Sequence, residues 1–130
     1  MQTHFCGWLS SIRKTQWHHR ATSFLTAFSG RLVTTDWVLM EVGDALAGTE
    51  KGRLEFVSLR ADLQSDPDVR ILPSDPYLLH EAVALYQARL DKQWSLTDCT
   101  SFVVMQREGV HEALTGDRHF EQAGFAALLR

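Results

Sequence analysis

Short apolar segments alternate along this chain with longer stretches of helical periodicity, and that alternation restricts it to a layered α/β architecture. The segments at 31–34, 69–72, 112–114 and 125–129 are too short for helices and carry mostly Val, Leu, Ile or Ala. Strands that recur after each helical stretch join a parallel sheet, with the crossover helices covering both faces. The fold class expected is therefore α/β, a three-layer α/β/α arrangement around a short, mainly parallel central sheet. At 130 residues, 45% hydrophobic and 22% charged, the chain can bury one such core and not two, so residues 1–130 are read as a single domain.

The individual elements follow from spacing and caps. Residues 2–6 are expected to form a short first strand, followed by a helical turn or two over 8–14. Ala21, Phe24, Leu25 and Phe28 recur at spacings of three and four, which gives an amphipathic helix over 17–28 that Gly30 stops. A helix over 37–46, capped by Thr35 or Asp36 and ended by Gly48, carries Glu41. Another over 50–64 aligns Phe56, Leu59 and Leu63 before Ser65, Asp66, Pro67 and Asp68 break it. Asp75 followed by Pro76 is the sharpest boundary in the chain, an N-cap with proline at the first helical position. It opens a helix over 76–90 on which Leu79, Ala82, Tyr86 and Leu90 align. Ser95 or Thr97 caps the next, which runs to Arg107 with Cys99, Phe102, Val103 and Gln106 on one face, Asp98 in its first turn and Gly109 at its end. A strand at 112–114, a short helix at 118–123 and a last strand at 125–129 complete the pattern.

Charge and composition narrow the function. The formal net charge of −3 gives no long-range attraction for a phosphate backbone, so any nucleic-acid contact must be local. Arg13, Lys14, Arg20 and Arg31 form the one modest basic concentration, which fits a solvated face as well as an RNA-facing one. No apolar run approaches the ~20 residues that cross a bilayer, and the amino-terminal stretch lacks a secretion signal, so no membrane role and a cytoplasmic location are expected. Cys6 and Cys99 stand apart without metal-site spacing and read as small buried side chains.

Carboxylates in apolar surroundings are the candidates for chemistry, because such groups need a partner or a cation. Glu41 lies within WVLMEVGDAL, Asp98 opens a helix rich in Val and Phe, and Asp117 follows the 112–114 strand. Each also has a plain structural reading: Asp98 complements a helix dipole, Asp117 shapes a turn, and Glu41 pairs with Lys51 or Arg53. Composition and spacing leave both readings open.

The stretches TTDWVLMEVGDAL, WSLTDCTSFVVM and ALTGDRHFEQAG resemble, in order and rough spacing, three signature blocks of the PIN domain family. The resemblance covers nearly the whole chain and implies a parallel sheet with the acids gathered at its carboxyl ends. It implies that Glu41, Asp98 and Asp117 hold Mg²⁺ or Mn²⁺ for phosphodiester hydrolysis, with the Thr97 hydroxyl orienting a ligand or water. It places His4 where the family's first metal-binding Asp stands, at the end of an apparently shortened first strand. Imidazole can ligate Mn²⁺ but lacks the negative charge of a carboxylate. Asp44, three residues from Glu41, is either a substitute acid or a solvated side chain.

The function implied is that of a metal-dependent endoribonuclease, similar to the toxins of type II toxin–antitoxin pairs. It would act as a homodimer with RNA as substrate, and a small antitoxin would lay its tail in the acidic groove. The alternative is a catalytically impaired PIN-fold binding or scaffold protein, because of His4. His18 and His19 are read as cap or surface residues, and His119 as a contact for an RNA phosphate or for turn carbonyls, with no histidine assigned as general base. Trp8, Trp17, Trp37 and Trp94 are read as core or interface residues.

Overall fold

The computed structural model describes residues 6–9 and 30–129. Strand β1 (Cys6–Leu9) is followed by β2 (Arg31–Thr35), helices α1 (Asp36–Ala45) and α2 (Glu50–Ser65), and strand β3 (Val69–Leu72). Helices α3 (Pro76–Ala88) and α4 (Leu96–Glu108) lead to β4 (Glu112–Leu114), α5 (Arg118–Gln122) and β5 (Ala126–Ala127). The five strands form one parallel sheet in the order β3-β2-β1-β4-β5. The chain steps outward from β1 to β3 on one side and then crosses to β4 on the other, so the order reverses beside β1. In open α/β sheets the crevice at the carboxyl ends of such a reversal is where ligands sit.

Alternation along the strands builds the layers. Val33 and Ala113 flank Trp8 in register and join it in one buried cluster with Val38, Val42, Cys99, Phe102, Met105 and Phe120. Their neighbours Leu32 and Leu114 belong to a second cluster with Leu39, Leu63 and Leu129. Successive side chains of a strand point to opposite faces, so each face of the sheet carries its own core, as a three-layer fold requires. The small Ala113 leaves room for the fully buried Trp8 indole on the central strand.

Helix boundaries obey local chemistry. The Thr35 side chain accepts from the Val38 N–H at 3.3 Å, that of Thr49 from Gly52 at 2.9 Å and that of Asp75 from Leu78 at 2.7 Å, each satisfying a donor left open in a first turn. Gly109 closes α4 in the left-handed conformation (φ 67°), which lets the Val110 N–H reach back to the Met105 carbonyl at 2.9 Å. No helix among the described residues is long and apolar enough to cross a membrane.

The structure corrects several sequence expectations. Trp8 and Leu9 are strand, not the start of a helix; of the strand expected over 2–6, Cys6 lies in β1 and the rest falls outside the described residues. The large indole is fully buried between β2 and β4, and tertiary burial outweighs the weak helical pattern. His4, His18, His19, Trp17 and the helix expected over 17–28 lie outside the described residues. On α3 the buried face is Leu78 and Ala82, with Leu85 half-buried, whereas Leu79, Tyr86 and Leu90 are exposed. Helix α4 is buried on most of its circumference, including Thr100, Ser101 and Val104, while Gln106 is exposed. The last strand shrinks to Ala126–Ala127.

Candidate metal centre

Helix α4 runs back into β4, so its amino end lies at the carboxyl edge of the parallel sheet. Ser95 caps that end: its hydroxyl accepts from the Asp98 N–H at 2.9 Å, and the Asp98 carboxylate accepts from the Ser95 N–H at 3.0 Å. This reciprocal pair is a capping box with Asp at its third position. It fixes the Asp98 side chain against its own helix, with 15% of it exposed.

The other half of the site is the turn after β4. Thr115, fully buried, accepts from the Asp117 N–H at 3.1 Å, and the Asp117 carboxylate accepts from the His119 N–H at 2.9 Å. The second bond caps α5 and sets Asp117 and His119 on one side of a tight turn. The His119 Nδ1 then lies 3.3 Å from Asp98 Oδ2 and 3.4 Å from Asp117 Oδ1.

Packing brings these halves together. Phe102 is one turn past Asp98 on α4, and its ring meets Phe120 edge to face at 4.9 Å, Trp94 edge to face at 4.9 Å and Phe125 in a stack at 5.8 Å. Trp94 also donates its indole N–H to Gln122 on α5 at 3.1 Å. The loop before α4 and the helix after Asp117 are therefore joined by an aromatic cluster and one hydrogen bond.

One side-chain ligand atom from each of Asp98, Asp117 and His119 lies within 4.8 Å of the others. Burial pushes the Asp98 carboxyl above the usual carboxylate range; the Ser95 N–H opposes the push, the Asp117 charge adds to it, and His119 works against it. A negative charge held in a desolvated place beside a second carboxylate is a place for a cation. The His119 Nδ1 distances to the two carboxylates, 3.3 Å in a hydrogen bond to Asp98 and 3.4 Å to Asp117, are near the separation of about 3 Å between neighbouring octahedral ligands of a small divalent ion.

The sequence-derived site residues fall unevenly around this centre. Asp98 and Asp117 meet, and Glu41 does not join them within 4.8 Å. Glu41 is half-buried on α1, which packs against α4, and makes no ion pair with Lys51 or Arg53. Lys51 pairs with Glu55 at 3.9 Å, and the Arg53 Nε donates to the Ala47 carbonyl at 2.9 Å. Asp44 is exposed on the same helix. Thr97 is half-buried beside Asp98, and its carbonyl accepts from the Thr100 hydroxyl.

Sequence reading missed His119 as a member of the cluster, having assigned it to phosphate or turn carbonyls. Its position two residues past Asp117, where an N-capping turn folds back, was the available signal. Thr115, which shapes that turn, was missed as well. Cys99 is buried next to Asp98, and burial, then the Asp98 charge, push its thiol up to about 11.

A model of the family described as PIN domain matches residues 4–126. Among solved structures, VapC20 of Mycobacterium tuberculosis, a Sarcin-Ricin loop cleaving toxin, superposes with a TM-score of 0.79 at 20% sequence identity. The match covers 93% of this chain and 97% of that one. Likeness at this identity speaks for the fold. No curated protein sequence matches.

Proposed function

This chain belongs to the PIN domain family, and from that premise we propose that it is a metal-dependent endoribonuclease, the toxin of a type II toxin–antitoxin pair. The observation that carries this reading is the meeting of the Asp98 and Asp117 carboxylates at the sheet's carboxyl edge, where the strand order reverses. Glu41, Asp98 and Asp117 are the residues assigned to Mg²⁺ or Mn²⁺. Such an ion, when bound, polarises a phosphoryl oxygen and lowers the pKa of a bound water. Asp98 is held rigid by the Ser95 N–H, and Asp117, whose side chain is 42% exposed, faces the approach of substrate. Glu41, half-buried and without an ion-pair partner among the described residues, is supported as a ligand by that lack. Thr97 presents a hydroxyl in the first turn of α4 that can orient a water or phosphate oxygen.

The substrate class proposed is structured RNA, in keeping with the Sarcin-Ricin loop cleaved by the toxin that shares this fold. In this reading residues 1–130 act as one domain in the cytoplasm. A small antitoxin lays its tail in the acidic groove, with an Arg bidentate to the carboxylates. Leu79, Val83, Tyr86 and Leu90 leave an exposed apolar row along α3 and just beyond it, which supports a homodimer.

A second reading, a PIN-fold binding or scaffold module impaired in catalysis, is favoured by one observation: from His4 through Ser11 the chain carries no carboxylate. Induced expression in a bacterial host separates the two. The nuclease reading expects growth arrest that Asp117→Asn relieves; arrest that persists in Asp117→Asn would take the effect away from this site.

A further inference from the structure

We infer that His119 is a ligand of the divalent cation at this centre and that its imidazole tilts the site toward Mn²⁺ over Mg²⁺. The inference rests on the metal-nuclease reading and goes beyond its set of three acids.

Three features of the chain carry it. The Nδ1 atom of His119 is 3.3 Å from one carboxylate and 3.4 Å from the other, so the ring nitrogen stands at the same centre as the acids. The backbone holds it there, because its N–H is taken by the Asp117 carboxylate and the next residue, Phe120, is 1% exposed and locked against Phe102. The donors that stand within 4.8 Å of one another are therefore two carboxylate oxygens and one imidazole nitrogen. Carboxylate and water ligands suit Mg²⁺, whereas imidazole is a poor ligand for it and a better one for transition metals, with Mn²⁺ accepting both.

A competing account has His119 as a mere counter-charge that settles the two acids while no cation is bound. The two accounts differ in sign. A counter-charge competes with the cation, so removing it strengthens binding; a ligand contributes to binding, so removing it weakens it.

The test is calorimetric titration of the full-length, metal-stripped protein with Mn²⁺ and with Mg²⁺, for the unaltered chain, His119→Ala, His119→Asp and Asp98→Asn. His119→Ala should weaken Mn²⁺ binding by about tenfold or more while Mg²⁺ changes little. His119→Asp, which makes the set all-carboxylate and serves if the alanine variant does not fold, should raise Mg²⁺ affinity relative to Mn²⁺. The electron spin echo of Mn²⁺ in the unaltered protein should show modulation from an imidazole nitrogen that both His119 variants lack. If His119→Ala binds Mn²⁺ as tightly as the unaltered chain, or more tightly, while Asp98→Asn abolishes binding, the assignment is overturned and the nuclease reading stands. If the unaltered chain binds neither ion, both are overturned.

Discussion

Asp98 concentrates the tension in this structure. Its carboxyl is buried, shares its surroundings with Asp117, and holds its proton more tightly in the folded chain than in the unfolded one. The sign of the linkage follows. Folding is favoured at low pH, and that advantage is lost as pH rises from the ordinary carboxylate range through the raised folded value; at neutral pH the ionised Asp98 is a standing cost. Asp98→Asn keeps an acceptor for the Ser95 N–H and removes the charge. Without divalent ions, the stability of the unaltered protein should therefore fall more steeply with rising pH than that of Asp98→Asn, in thermal unfolding across the acidic range. With Mn²⁺ at a hundred times its Kd, the unaltered chain should gain about 2.7 kcal/mol and the variant nothing. An equal gain in both would place the ion elsewhere. Cys99, next in sequence, gives a control: its thiol, pushed up to about 11, should resist alkylation at neutral pH until the protein unfolds. At this scale Asp98 and Asp117 were legible because short motifs carry them. His119 was not, since its contact with Asp98 spans 21 residues and exists only once the aromatic cluster has formed.

Helix α4 and the turn into α5 form the element that makes the site. Phe102 links them through three aromatic neighbours, and truncating it leaves a cavity among rings that meet no other ring among the described residues. Phe102→Ala should cost roughly 3–5 kcal/mol in denaturant unfolding and weaken Mn²⁺ binding as Asp98 and Asp117 drift apart. Loss of stability with unchanged metal affinity would show that the cluster does not position the acids. Removing the cap alone, Ser95→Ala, should cost about 1 kcal/mol. Caps were the most legible feature of the sequence: Asp75 with Pro76, Thr35 and Ser95 each sit where a side-chain oxygen was expected, because capping depends on neighbours within three residues. The exposed row on α3 and the burial of the middle of α4 on nearly every side, from Cys99 to Met105, were not legible. Both depend on which layer covers a helix, and helical spacing fixes only that a face exists. Trp8 was assigned to a helix for a related reason, since it fits a short helix locally and a central strand only once β2 and β4 flank it.

At the scale of the molecule, a parallel sheet whose order reverses beside β1 fixes where a ligand crevice lies, and the alternation of strands and helices was enough to foresee that sheet. It was not enough to foresee which acids meet there. The exposed α3 row predicts self-association: sedimentation should find a dimer for the unaltered chain and a monomer for Val83→Glu combined with Tyr86→Glu, and a monomer in both would remove the homodimer from the account. The central claim is that Asp98 and Asp117 serve metal-dependent RNA hydrolysis. Its most direct test is cleavage of a panel of structured RNAs with Mn²⁺ or Mg²⁺, comparing the unaltered chain, Asp98→Asn and His4→Asp. The account predicts cleavage by the unaltered chain that needs the ion and disappears in Asp98→Asn. Cleavage that survives Asp98→Asn, or that appears only in His4→Asp, would contradict it.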